Sequence, residues 1–180
     1  MPRPTEYTVG WITALPVEMA AAMTMLNEVH ENPTIQNPQD HNNYIFGSIG
    51  PHYVVIACLP AGVYGTTSAA VIAVQMMASF PSIKFGLMVG IGGGVPSSER
   101  DIRLGDVVVG KPQGELGGVI QYDFGKVTQG GQFNMQGSLN KPPQVLLTAV
   151  STMEAMHIMK GNQIHSILTE TGRDELSKQT

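Results

Sequence analysis

Leu87 to Pro96 reads LMVGIGGGVP, so four glycines follow directly on an apolar run. Without a Cβ in front of them, backbone N–H groups can approach an oxyanion or a sugar hydroxyl closely. A tight, close-packed turn calls for the same residue type, so the glycines also carry a purely structural reading. Glu18 is the second candidate. It stands just after Pro16, where an apolar strand gives way to a helix, and ligands of open α/β sheets gather at that edge. A glutamate in a first helical turn also complements the helix dipole with no ligand present. Asp101, Asp106 and Asp123 are open in the same way: Asp106 follows Gly105 as a turn residue would, and Asp123, between Tyr122 and Phe124, can face a pocket.

These residues need elements to position them. Tyr7 to Leu15 is β-rich and ends at Pro16, after which Val17 to Val29 carries apolar residues at helical spacing. Glu31 to Asn43, with its prolines and asparagines, reads as a polar loop. Tyr44 to Ile49 and His52 to Leu59 flank Gly50-Pro51 as a hairpin. Pro60 to Gly65 ends the second strand, and Thr66 to Phe80 is an Ala- and Met-rich helix, apolar almost all round and therefore expected to be buried on several sides. Ile83 to Val89 is the strand that feeds the glycines. Only Val95 to Arg103 separates them from the apolar run Leu104 to Val109, too short for a parallel crossover, so those two strands are expected to pair directly. Gly114 to Gly131 is a long Gly-rich connection of the kind that is often functional. Gln144 to Met159 reads as an amphipathic helix, Asn162 to Thr171 as a shorter one, and the last ten residues as a frayed polar tail.

Composition excludes several classes. The chain has 180 residues, 42% of them hydrophobic and 13% charged, and suits one domain with a genuine core. The formal charge of −4, with 10 scattered basic residues, gives no footprint for nucleic acid. Neither a membrane span nor a signal peptide is legible, so a cytoplasmic location and small-molecule ligands are expected. Cys58, the single cysteine, lies in an apolar run and reads as core filler. The five histidines lack metal-ligand spacing, and no metal or cofactor is expected. Gly105 to Lys111 has the glycine and lysine spacing of a phosphate-binding P-loop, but Pro112 occupies the Ser/Thr position. Gly90-Ile-Gly92 lacks the third glycine of a dinucleotide fingerprint.

The blocks YTVGWITALPVEMAAA, CLPAGVYGTTSAA, GLMVGIGGGVP, DIRLGDVVVG and GGVIQYDFGK, in this order, resemble the purine-nucleoside and uridine phosphorylase superfamily. They are most similar to the branch found at the front of fungal multidomain proteins. The similarity runs from about residue 7 to 157, within a single nucleoside phosphorylase-like domain spanning residues 1–180 whose stretch 158–180 is a polar helical tail. It implies a three-layer α/β/α sandwich around a twisted mixed sheet, incomplete on its C-terminal side, and a homo-oligomer that cleaves the N-glycosidic bond of purine nucleosides. It places Glu18 where hydrolytic members orient the attacking water. It also puts Ala14, Gly62 and Thr66 in the loops nearest the nucleophile and Gly90, Gly92 and Gly93 along the ribose pocket. Tyr122 and Asp123 complete the substrate-binding set expected for this chain.

Two departures qualify that implication. Phosphorolytic members carry an arginine before the Gly loop and a serine or threonine inside it; Met88 and Ile91 stand there instead. Water is thus favoured over phosphate as nucleophile, with phosphate kept as an alternative co-substrate and Arg103 and Lys111 as the nearest basic residues. The family's later glutamate and base-protonating aspartate have no counterpart after His157, where Glu170, Asp174 and Glu175 lie in polar sequence. Loss of a general acid costs about 10²- to 10⁴-fold in rate. The rival expectation is therefore a nucleoside-sensing or interaction module without catalysis.

Overall fold

A computed structural model describes residues 2–33, 37–98 and 100–170. Those up to Gly93 form one compact unit and those from Gly94 a second.

The first unit is an α/β structure. Its strands are β1 (Val9–Thr13), β2 (Glu28–His30), β3 (Tyr44–Ile49), β4 (His52–Cys58) and β5 (Phe85–Met88), and its helices are α1 (Pro16–Thr24) and α2 (Thr66–Ser79). The sheet has the order β2-β3-β4-β1-β5, antiparallel from β2 to β4 and parallel across β4, β1 and β5. It is open, with no closed barrel. β4 lies between two neighbours and is buried on both faces, which explains its unbroken apolar run. Val54 and Ile56 point to the face covered by α1, packing with Val9 and Ala22. Val55 and Ala57 point to the α2 face, among Tyr7, Phe46, Ile72, Met76 and Phe80. The period of two along a strand thus builds two cores from four consecutive residues.

Most first-unit elements match the sequence expectation; two do not. The first helix stops at Thr24, and Glu28–His30 leaves it to become edge strand β2. Asn27 explains the switch: its N–H donates to Ser48 O at 2.8 Å and its side chain accepts from Gly50 N at 2.7 Å, tying this segment to the β3–β4 hairpin. In α2, only Ile72, Met76 and Ser79 are buried, while Val71, Val74 and Met77 are exposed, so that helix packs by one face despite its composition.

The second unit contains β6 (Gly125–Val127) and β7 (Phe133–Met135), an antiparallel hairpin inside and just beyond the Gly-rich connection, then α3 (Gln144–Lys160) and α4 (Ile164–Glu170). The strand expected from the apolar run Leu104 to Val109 does not form. Gly105 is in a left-handed turn at φ +90°, closed by Arg103 N donating to Asp106 Oδ2 at 2.9 Å, so Asp106 is the turn residue its position suggested. Beyond it Val107, Val108 and Val109 join no ladder and are exposed. α3 buries none of its residues, so its expected amphipathic packing face is not used within the unit. Thr171, Asp174, Glu175 and the rest of the final ten residues lie outside the described residues.

Candidate functional site

The parallel part of the sheet ends β1, β4 and β5 along one edge, and three loops leave from it. Leu59 N donates to Thr13 O at 2.9 Å and Val89 N to Ile12 O at 3.1 Å, so the loops after β4 and β5 start beside the end of β1. Pro16 opens α1 immediately after the first loop. Its fixed φ suits a first helical position, where a missing N–H costs nothing.

Glu18, in the first turn of that helix, joins two of these loops. Its Oε2 accepts from Ala14 N at 2.7 Å and Leu15 N at 2.9 Å; its Oε1 accepts from Ile91 N, 73 positions away in the Gly loop, at 2.7 Å. The residue is buried, only 8% exposed. Burial pushes the carboxyl pKa up, but the three amide bonds outweigh it and leave the group below its ordinary value of 4.5. It is an anion at neutral pH and cannot serve there as a proton donor. A carboxylate offers roughly four lone-pair directions. Two amides occupy Oε2 and one occupies Oε1, so the open direction is on Oε1.

Gly90 shows why this position lacks a side chain. A Cβ there would sit 2.7 Å from Glu18 Oε1, inside van der Waals contact. Gly92 and Gly93 differ: a Cβ on either would meet nothing within 4 Å, neither has positive φ, and their amides donate to no group among the described residues. Gly94 belongs to the second unit, where a Cβ would meet Ile102 Cγ2 at 2.9 Å. The glycine run therefore has a packing reason at both ends and bare, unpaired backbone in the middle.

Among the other residues singled out from the sequence, Ala14 is in the Glu18 cluster. Gly62 occupies the turn after β4 at φ +79°, and Thr66 begins α2. Both are exposed in the loop that leaves the same sheet edge. Tyr122 and Asp123 form an exposed turn before β6 in the second unit. Met88 and Ile91 present exposed apolar side chains beside the loop. Arg103 is paired with Asp101, and Lys111 Nζ lies 2.6 Å from Glu154 Oε1; both pairs are internal to the second unit. Cys58 is a free, half-buried thiol at the end of β4. Among the described residues, no three acidic, histidine or cysteine side chains lie close enough to hold a metal ion.

Sequence reasoning missed two polar features of the first unit. Asp40 ties the loop before β3 to α2: it accepts from Tyr44 Oη at 2.8 Å and from Ser79 Oγ, and burial raises the Tyr44 phenol. Tyr7, wholly buried beside Phe46 and Phe80, shares a 2.9 Å hydrogen bond with His30 Nδ1, and burial lifts its phenol to about 12. His30 lines a cleft of about 490 Å³ with Glu6, Glu28, Glu31 and Tyr53. The only sequence signal for either was a tyrosine in an otherwise apolar strand, which needs a partner for its hydroxyl.

No family model matches the chain, and no solved structure matches it. The chain is 51% identical over 172 residues to a nucleotide-binding leucine-rich repeat (NLR)-like protein of the fungus Hyaloscypha variabilis. The match covers 96% of this chain and 17% of that relative, so the chain corresponds to a small part of a much longer protein. Among the described residues no helix is long and apolar enough to cross a membrane.

Proposed function

We propose that this chain is a nucleoside-binding domain of N-glycosidic-bond-cleaving type, with water as nucleophile. The observation that carries this reading is the Glu18 carboxylate suspended between the loop after β1 and the glycine loop after β5, one acceptor direction open. A water donating to that direction would be oriented beside the bare amides of Gly92 and Gly93, which suit a sugar hydroxyl. In the reaction, the water oxygen bonds to the anomeric carbon as the carbon–nitrogen bond breaks. The base leaves with the bonding pair, and the two protons of water end on the new sugar hydroxyl and on the base. Glu18 contributes by holding the water and by placing negative charge near the oxocarbenium-like sugar. Being ionised, it does not protonate the base.

The second reading is a nucleoside-sensing or interaction module without turnover. It is favoured by the name of the fungal relative, a nucleotide-binding leucine-rich repeat-like protein of which this chain matches a small part. Incubation with adenosine, inosine and guanosine, with and without phosphate, separates the readings by release of free base. Phosphate-independent release that Glu18→Gln abolishes is the expected result. Release unchanged in Glu18→Gln sinks the assigned role. Nucleoside binding by calorimetry without release selects the sensing module, and binding weaker than millimolar removes both.

A further inference from the structure

We propose that the cleft beside edge strand β2 docks an extended basic peptide, whose cationic side chains meet its carboxylates and whose main chain accepts a hydrogen bond from His30 Nε2. The cleft, of about 490 Å³, is lined by Glu6, Glu28, His30, Glu31 and Tyr53. Tyr7, against which His30 packs, precedes β1, and Tyr53 stands near the start of the parallel strand β4, whereas Glu18 follows the far end of β1. The two sites are separate. His30 supplies the directional part: its side chain is only 5% exposed, and its Nδ1 is taken by Tyr7 Oη at 2.9 Å. Burial keeps the Tyr7 phenol protonated, and its hydroxyl has no other partner among the described residues, so it donates to Nδ1 rather than strand its hydrogen in the core. In the neutral ring the remaining proton is then on Nε2. The carboxylate oxygen beside it, Glu28 Oε2, is 4.0 Å away, beyond hydrogen-bond reach. A nearly buried donor is thus left at the cleft wall without an acceptor.

The charge around that donor has one sign. Glu6 is tied to Arg3, but Glu28 and Glu31 have no lysine or arginine partner among the described residues. These groups are too far apart to close on one metal ion, so they suit positive charge carried along a chain. β2 has a ladder partner on one side only, and Val29 at its centre is 63% exposed. A free strand edge offers main-chain hydrogen bonds to an extended segment, and alternate side chains of that segment reach the same face. Like charge repels a second copy of this acidic edge, while a basic segment is attracted. A polyamine would bring the charge alone; a peptide brings in every residue the carbonyl that His30 lacks.

The test titrates the full chain with a peptide of alternating lysine and threonine blocked at both ends, with its glutamate and threonine counterpart, and with spermidine, while backbone and histidine resonances are followed by NMR. Saturable binding of the lysine peptide is expected, with shifts at residues 28–31, at Tyr53 and at His30 Nε2–H, and no binding of the glutamate peptide. Replacing both carboxylates in Glu28→Gln/Glu31→Gln should weaken the lysine peptide about tenfold, the scale of two exposed ion pairs. His30→Asn keeps an acceptor for Tyr7 but removes the donor at the cleft, so it should weaken the peptide and leave spermidine unchanged. Absence of saturable binding, or shifts confined to other parts of the chain, overturns the proposal. Spermidine binding as tightly as the peptide also overturns it, since charge alone would then suffice. Unchanged affinity in the double variant sinks the role of the carboxylates. Should His30→Asn fail to fold, the native protein decides: a His30 Nε2–H resonance that stays still as the peptide saturates sinks the carbonyl contact. No nucleoside takes part, so a protein that cleaves none still answers the question.

Discussion

Val54 to Ala57 and Val107 to Val109 are both short apolar runs rich in β-branched residues, and they end in opposite places. The first is at most 2% exposed at every position; the second is 45 to 71% exposed. Both have the composition of a strand. β4 has β3 on one side and β1 on the other to take its backbone hydrogen bonds, with α1 and α2 covering its faces, whereas residues 107–109 have no ladder partner. The contrast teaches that side-chain preference makes a strand only where neighbours satisfy the main chain.

That contrast can be broken by mutation. Ile56→Ala removes a fully buried side chain from the α1 face and is expected to cost about 2–5 kcal/mol in chemical denaturation. A cost like that of a surface site would mean β4 is not central. Glu18→Ala should come next, at about 1–3 kcal/mol for each buried amide that water does not reach, with Ile91 losing its protection in hydrogen exchange. Gly90→Ala is expected to lose about 1–3 kcal/mol by forcing the carboxylate away, and in the same experiment the Ile91 amide should exchange faster. Gly92→Ala, with open space around it, serves as its neutral partner. At the small end, Val108→Ala should stay within about 0.5 kcal/mol of the native protein.

Acid sharpens the comparison between the site and its surroundings. The Glu18 carboxyl is held below its ordinary value, so its contribution to stability is fully present above about pH 4.5 and is lost as pH falls through the lower folded-state value. Below that point the native protein and Glu18→Gln should converge in thermal midpoint. A gap that persists unchanged into acid would show that the charge is not what the three amides hold.

Much of the first unit was legible because period and punctuation agreed. Gly50-Pro51 marked the β3–β4 hairpin, Pro16 the entry to α1, and the apolar run before Gly90 the strand β5. β2 was not legible, since Val29 continues the helical spacing and only Asn27, bonded to the next hairpin, pulls the chain out of the helix. The candidate site was half legible. Glu18 and the glycines each carried a signal, yet each also had a purely local explanation, and nothing in a linear reading joins residues 73 positions apart.

By itself the sequence determined the class of this protein: alternating apolar runs and helical segments that build an α/β sheet, with a glycine loop and an early glutamate as its distinctive residues. Tertiary structure decided the rest, which of the apolar runs found partners and which amides the glutamate would meet. Strand pairing and the convergence of donors depend on distance in space. Loop closure between remote segments leaves no mark on local pattern, so those decisions are taken only when the sheet assembles.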